Sequence, residues 1–156
     1  MRHLAASFLI LLLACLARPA AAQDREVPYW ATLRVDEVNM RVGPSEAYPI
    51  SWVYRREGLP VKVVRVRQGW RLVEDPDGER GWIVARLLNP KRGAIVIGEG
   101  LAEMRAGAAS GADLLWRVEA GVVGALGNCE DGWCRFEVEG RKGWVRAERL
   151  WGAGNP

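Results

Sequence analysis

Met40-Arg41-Val42-Gly43 returns 64 residues later as Met104-Arg105-Ala106-Gly107, and Gly81-Trp82-Ile83 returns 62 residues later as Gly143-Trp144-Val145. Between these anchors Glu57-Gly58 matches Ala120-Gly121 and Gly69-Trp70 matches Gly132-Trp133, both at an offset of 63. A correspondence kept in one order with drifts of a single residue is a duplication. The drifts fall in a first loop and in a last hairpin, where Asp75-Pro76-Asp77-Gly78 is shortened around Glu139-Gly140, and insertions belong in loops. Two copies are too few for a solenoid or propeller, so each must bury its own core. The tryptophans divide accordingly: Trp30, Trp52, Trp70 and Trp82 in the first copy, Trp116, Trp133, Trp144 and Trp151 in the second. Each copy thus has its own aromatic anchors.

Within a copy, short β-type runs are cut by turn residues roughly every 8 to 12 positions, and no window holds an amphipathic helix of useful length. The fold class is all-β. Val61-Lys62-Val63-Val64-Arg65-Val66-Arg67 alternates and then slips phase at Val63-Val64, the sequence form of a β-bulge that bends a small sheet. Cys134, Phe136 and Val138 share one strand face, and Arg135, Glu137 and Glu139 the other. The same count sets Trp133 outward with Arg135. Cys129 and Cys134 flank Glu130-Asp131-Gly132-Trp133. With Asp131-Gly132 as a two-residue turn, the cysteines form the first non-hydrogen-bonded pair, where Cα atoms approach to about 4.5 Å. A disulfide fits there; the competing reading is two buried free thiols.

The first 22 residues stand apart. Arg2 precedes an apolar run from Leu4 to Leu16, then Arg18-Pro19 and Ala20-Ala21-Ala22-Gln23. This pattern predicts a secretory signal peptide cleaved after Ala22 and a periplasmic or secreted protein. The run is short of the roughly 20 apolar residues of a membrane span. Leu12-Leu13-Ala14-Cys15 offers a second processing site, a lipoprotein box with Cys15 lipidated, which would leave the protein peripheral to a membrane. Across all 156 residues, 22 basic residues face 19 acidic ones. Without Arg2 and Arg18 the net charge falls to +1, and neither copy carries the dense basic stripe that phosphate neutralisation needs. Nucleic acid is not an expected partner.

Catalysis finds little to work with. The one histidine is His3, inside the expected leader, so Ser45, Ser51, Ser110, Cys129 and Cys134 have no imidazole to activate them. Glu137 and Glu139 alternate with core residues and read as solvated charges rather than a glycosidase pair. Asp75-Pro76-Asp77-Gly78-Glu79 lacks the ligand count of a calcium loop and is ordinary hairpin chemistry. No enzyme activity, cofactor or metal is expected.

The chain resembles the bacterial Src-homology-3 domains of exported proteins. The resemblance covers both copies and rests on Asn39-Met40-Arg41-x-Gly43-Pro44, Tyr48-Pro49-Ile50, Trp52 through Val61, Gly69-Trp70, and Gly81-Trp82-Ile83 through Leu88. The second copy departs from the pattern, with Glu103 for the Asn and Gly107-Ala108-Ala109 for the Gly-Pro turn. The resemblance implies two five-stranded, partly open barrels in tandem, each ending in a helical turn, at Ala85 to Leu88 and Ala147 to Leu150. The expected organisation is a first barrel at 23–89, a linker at 90–94 and a second, more divergent barrel at 95–156. A linker so short predicts barrels docked rigidly on each other.

Such barrels serve as binding or structural modules, and the resemblance implies an envelope protein, a peptide or peptidoglycan as partner. The expected groove lies on the first barrel, where Tyr48 and Pro49 at the loop end face Trp70. Trp52 and Tyr54, on alternate positions of the next strand, extend it. Arg55 or Arg56 at the rim would pair with a ligand carboxylate. The competing reading makes Trp52 and Trp70 core plugs, and in a purely structural protein the aromatics would be buried between the barrels.

Overall fold

In the computed structural model, which describes residues 25–156, the repeat becomes two antiparallel sheets with one connectivity. The expected leader at 1–22, Cys15 included, lies outside the described residues. The first sheet contains β1 (Tyr29–Leu33), β2 (Val38–Arg41), β3 (Ile50–Tyr54), β4 (Pro60–Arg67), β5 (Trp70–Glu74), β6 (Arg80–Val84) and β7 (Leu88–Asn89), in the order β3-β2-β6-β5-β4-β1-β7. The second contains β8 (Gly93–Val96), β9 (Ala102–Arg105), β10 (Leu114–Val118), β11 (Val123–Glu130), β12 (Trp133–Val138), β13 (Arg141–Arg146) and β14 (Leu150–Trp151). Its order, β10-β9-β13-β12-β11-β8-β14, is the first order shifted by seven. Single 3₁₀ turns at Ala85–Leu87 and Ala147–Arg149 precede the last strands, as expected. Each unit has seven strands rather than five because its long first loop is itself a hairpin, β2–β3 or β9–β10. The sheets stay open, with β3 and β7, or β10 and β14, at their edges.

Each unit buries its own core. Leu33, Val38, Val61, Val63, Val73 and Ile83 fill the first; Val96, Met104, Cys134, Phe136 and Val145 fill the second. The phase slip in β4 is a register shift against β5 between Val63 and Arg65. Asp131 (φ 49°) and Gly132 (φ 79°) form the two-residue turn. Cys129 therefore faces Cys134, and a disulfide joins them across a Cα separation of 4.0 Å.

The repeated motif has a packing reason. A Cβ built on Gly81 would come 2.4 Å from Met40 Cγ, and one on Gly143 would come 2.3 Å from Met104 Cγ. Each glycine is the slot that lets a methionine lie across the sheet. The arginine after each methionine clamps the first hairpin: Arg41 donates to the Tyr48 carbonyl and Arg105 to the Ala112 carbonyl, both at 2.7 Å.

One expectation is corrected. Trp133 does not stand out into solvent but is buried. Period 2 does place it on the outer face, where its direct cross-strand partner is Arg146. The guanidinium lies 4.7 Å from the indole centroid and donates to Ser110 Oγ at 3.1 Å, covering the ring.

Residues 90–92 connect β7 to β8. Between the units, Trp30 Nε1 donates to the Gly154 carbonyl at 3.1 Å, and the Trp30 and Trp151 rings meet edge to face at 4.7 Å. Arg56 donates to the Gly121 carbonyl, while Ile95 and Val123 pack against the first core.

Candidate functional site

Edge strand β3 and the β5–β6 hairpin of the first unit enclose a cleft of ≈ 520 Å³. Met40, Trp52, Tyr54, Leu59 and Ile95 supply its apolar wall, and Asp75, Asp77, Glu79 and Arg80 its charged one. Trp52 and Tyr54 do lie on one face of β3, but at opposite depths. Trp52 is 59% exposed, whereas Tyr54, at the inner end of the strand, is only 6% exposed. Tyr54 is thus the floor of the cleft and not part of a surface platform.

The floor is held by hydrogen bonds. The Tyr54 hydroxyl donates to Asp75 Oδ2 at 2.8 Å, and Asp75 Oδ1 accepts from the N–H groups of Asp77 (3.0 Å) and Glu79 (2.9 Å). Asp75 is therefore a buried carboxylate with three donors, and the turn read as ordinary hairpin chemistry is organised around it. Burial, the bond to Asp75 and the charges of Asp75, Asp77 and Glu79 together push the Tyr54 phenol well above its ordinary range. Arg80 is already engaged, donating twice to Glu74 Oε2 at 2.8 and 2.5 Å, while Lys62 holds the other oxygen of Glu74. These bonds hold Glu74 below the usual carboxylate range. Asp77 and Glu79 have no cationic partner among the described residues.

The other expected residues are dispersed. Tyr48 is half exposed and lies over Gly43, where a Cβ would come 2.5 Å from its ring, which accounts for the glycine of the opening motif. Pro49 is exposed and its carbonyl accepts from Val42 N at 3.1 Å. Trp70, partly buried, does not line the cleft. Arg55 pairs with Glu37 at 3.2 Å in solvent, and Arg56 lines a separate cleft between the units. Neither arginine reaches Trp52's cleft. Sequence reasoning passed over Met40, Asp75, Asp77 and Glu79. The repeat carries a signal for two of them, since Asp75 aligns with Val138 and Glu79 with Arg141, as Tyr54 does with Val118.

Two open antiparallel sheets, each with a hairpin for its first loop and a 3₁₀ turn before its last strand, define a tandem Src-homology-3-like protein. The bacterial SH3 domain model matches residues 34–90 and again 98–152, more than half of the sequence, and the chain belongs to that family. It is similar to the Bacillus subtilis (strain 168) protein named "Putative N-acetylmuramoyl-L-alanine amidase YrvJ", at 22% identity over 135 residues, 80% of this chain and 26% of the relative. The chain thus spans about a quarter of that protein. Among solved structures it is similar to an NlpC/P60 family protein from Bacillus cereus ATCC 10987, with 13% identity, a TM-score of 0.36, and coverage of 79% of this chain and 56% of that one. NlpC2 from Trichomonas vaginalis matches at 16% identity and a TM-score of 0.36, covering 82% of this chain and 49% of its own.

Proposed function

We propose that this chain is a non-catalytic binding module of the cell envelope that recognises a peptide, protein or peptidoglycan component through the aromatic surface of its first unit. The observation that carries the reading is Trp52, more than half exposed at the mouth of an apolar-walled cleft. A large indole left in water beside a concave site is available to a ligand, and Trp is among the residues enriched at binding hot spots. Family membership and the amidase name of the relative support a wall-associated, extracytoplasmic setting, periplasmic or secreted. A structural or assembly role is the second reading, favoured by Trp30 and Trp151, which do pack between the units. Tyr48 and Trp52 remain at the surface, which supports recognition instead.

Capture from envelope extract, with binding to purified peptidoglycan alongside, tests the proposal. Tyr48→Ala with Trp52→Ala should abolish capture while leaving the circular-dichroism melt near wild type. Undiminished capture by the double variant removes the aromatic surface as the site.

A further inference from the structure

Trp52 and Trp116 occupy matching places on edge strands β3 and β10, 64 residues apart, and both are exposed. On Trp116 the guanidinium of Arg141 lies 5.3 Å from the ring centroid, a cation–π contact supplied by the first residue of β13. Strand register identifies the residue at that place in the first unit. Glu137 pairs with Lys142 as Glu74 pairs with Arg80, and both couples are ion pairs. One step toward the hairpin tip, Arg141 corresponds to Glu79 and its partner Val138 to Asp75. The tryptophan is kept and the charge beside it is reversed.

The floor differs in the same sense. Where the first unit buries the Tyr54–Asp75 pair, the second packs Val118 and Val138 against its core. The fold closes with two valines, and a buried carboxylate is a weak source of stability beside well-packed apolar groups. Valine serves there because the second turn is shorter; Asp75 both anchors the longer 75–79 turn and makes the cleft floor negative. Asp77 and Glu79, without a cationic partner among the described residues, add charge at the rim, and Arg80 is neutralised by Glu74.

We propose that this cleft takes a basic side chain of a peptide ligand, its charged head stacked on Trp52 and paired with Asp77 and Glu79, in the place that Arg141 fills over Trp116. The inference rests on the reading of Trp52 as a recognition surface and specifies what that surface recognises. Charge complementarity selects a basic group: three carboxylates face the cleft, and its one cation is already paired.

Titration of the full chain with acetyl-Ala-Lys-Ala-amide, followed at the Trp52 indole N–H by NMR, tests the proposal. The lysine peptide should give a saturating shift, and the isosteric norleucine peptide should bind at least about tenfold more weakly. Glu79→Arg, at an exposed position that already carries Arg in the second unit, should weaken lysine-peptide binding by a similar factor while the amide spectrum of β9 to β14 is unchanged. Asp77→Asn should cost a few-fold. Equal affinity for the two peptides, full affinity in Glu79→Arg, or no shift up to about 10 mM peptide overturns it. If Trp52→Ala still abolishes capture of envelope material in any of those cases, the recognition surface stands and only its preference for a cation falls. If Trp52→Ala captures like wild type, the surface itself is wrong.

Discussion

Gly81→Ala should destabilise the first unit by overpacking, and removing Met40 should cancel that penalty. The added methyl would sit 2.4 Å from Met40 Cγ and 2.8 Å from Sδ, more than an ångström inside the roughly 3.5 to 4.0 Å at which carbon atoms attract. Met40 is confined, 3% exposed with its sulfur 3.4 Å from the Tyr54 hydroxyl, and can yield only toward the cleft it borders. Overpacking of this kind costs about 1 to 3 kcal/mol. Met40→Ala alone leaves a cavity and costs about 2 to 5 kcal/mol. In the double variant the new methyl enters the vacated space, so the pair should be only slightly less stable than Met40→Ala, a coupling of about 1 to 3 kcal/mol. The Arg41 carbonyl, 3.1 Å from the same Cβ, retains a small penalty. Urea unfolding of the four proteins, followed by tryptophan fluorescence, measures the cycle. Additivity within about 0.5 kcal/mol would refute the slot-and-plug account of the repeated motif. Gly143 and Met104 should couple in the same sense but less completely, because the Arg105 carbonyl, 2.9 Å from the added methyl, is backbone and remains after Met104, with Cγ at 2.3 Å, is truncated.

Other outcomes follow from the same contacts. The denatured, unreduced protein from residue 23 onward should titrate no free thiol, and reducing Cys129–Cys134 should cost about 2 kcal/mol by the chain-entropy estimate for so short a loop. Two reactive thiols would contradict the first statement and an unchanged melt the second. Tyr54 ionises at higher pH folded than unfolded, so its contribution is intact below about pH 10 and is lost as pH rises beyond, by up to about 1.4 kcal/mol per pH unit. Tyr54→Phe should flatten that alkaline slope, and an unaltered slope argues against a buried phenol. Trp30→Ala removes both the ring contact with Trp151 and the bond to the Gly154 carbonyl. It should lower stability by about 3 kcal/mol or more, and residues 23–92 alone should be less stable than the chain that retains the second unit. Equal stability of that fragment would show that contacts between the units contribute nothing.

The parts of the fold legible in the sequence depend on local pattern or on the repeat. The shift at Val63-Val64 is visible because a bulge breaks period 2, and the Cys129–Cys134 bridge because an Asp-Gly turn fixes which residues face each other. Burial at strand ends was not legible in this way. Trp133 is on the predicted face, yet a cross-strand arginine covers it, and which strand supplies that arginine is a matter of sheet order. Tyr54 shares a face with Trp52 but turns inward where β3 meets the β5–β6 hairpin, and only the fold brings Asp75 to its hydroxyl. Of the residues expected at the site, Trp52 lines the cleft and is exposed, while the charges around it were not legible in the sequence. The arginines expected at its rim are directed elsewhere, and the acidic turn expected to be plain hairpin forms its other wall.

Trp52 bears the central claim, and its counterpart Trp116 provides the control within the same molecule. Capture of envelope material, peptidoglycan included, should be compared for the wild-type chain, Trp52→Ala and Trp116→Ala, with all three checked for an unchanged fold. Loss with Trp52→Ala and retention with Trp116→Ala is the predicted result, because Trp52 faces an acidic cleft whereas Arg141 lies over Trp116. Equal capture by all three proteins would contradict the account.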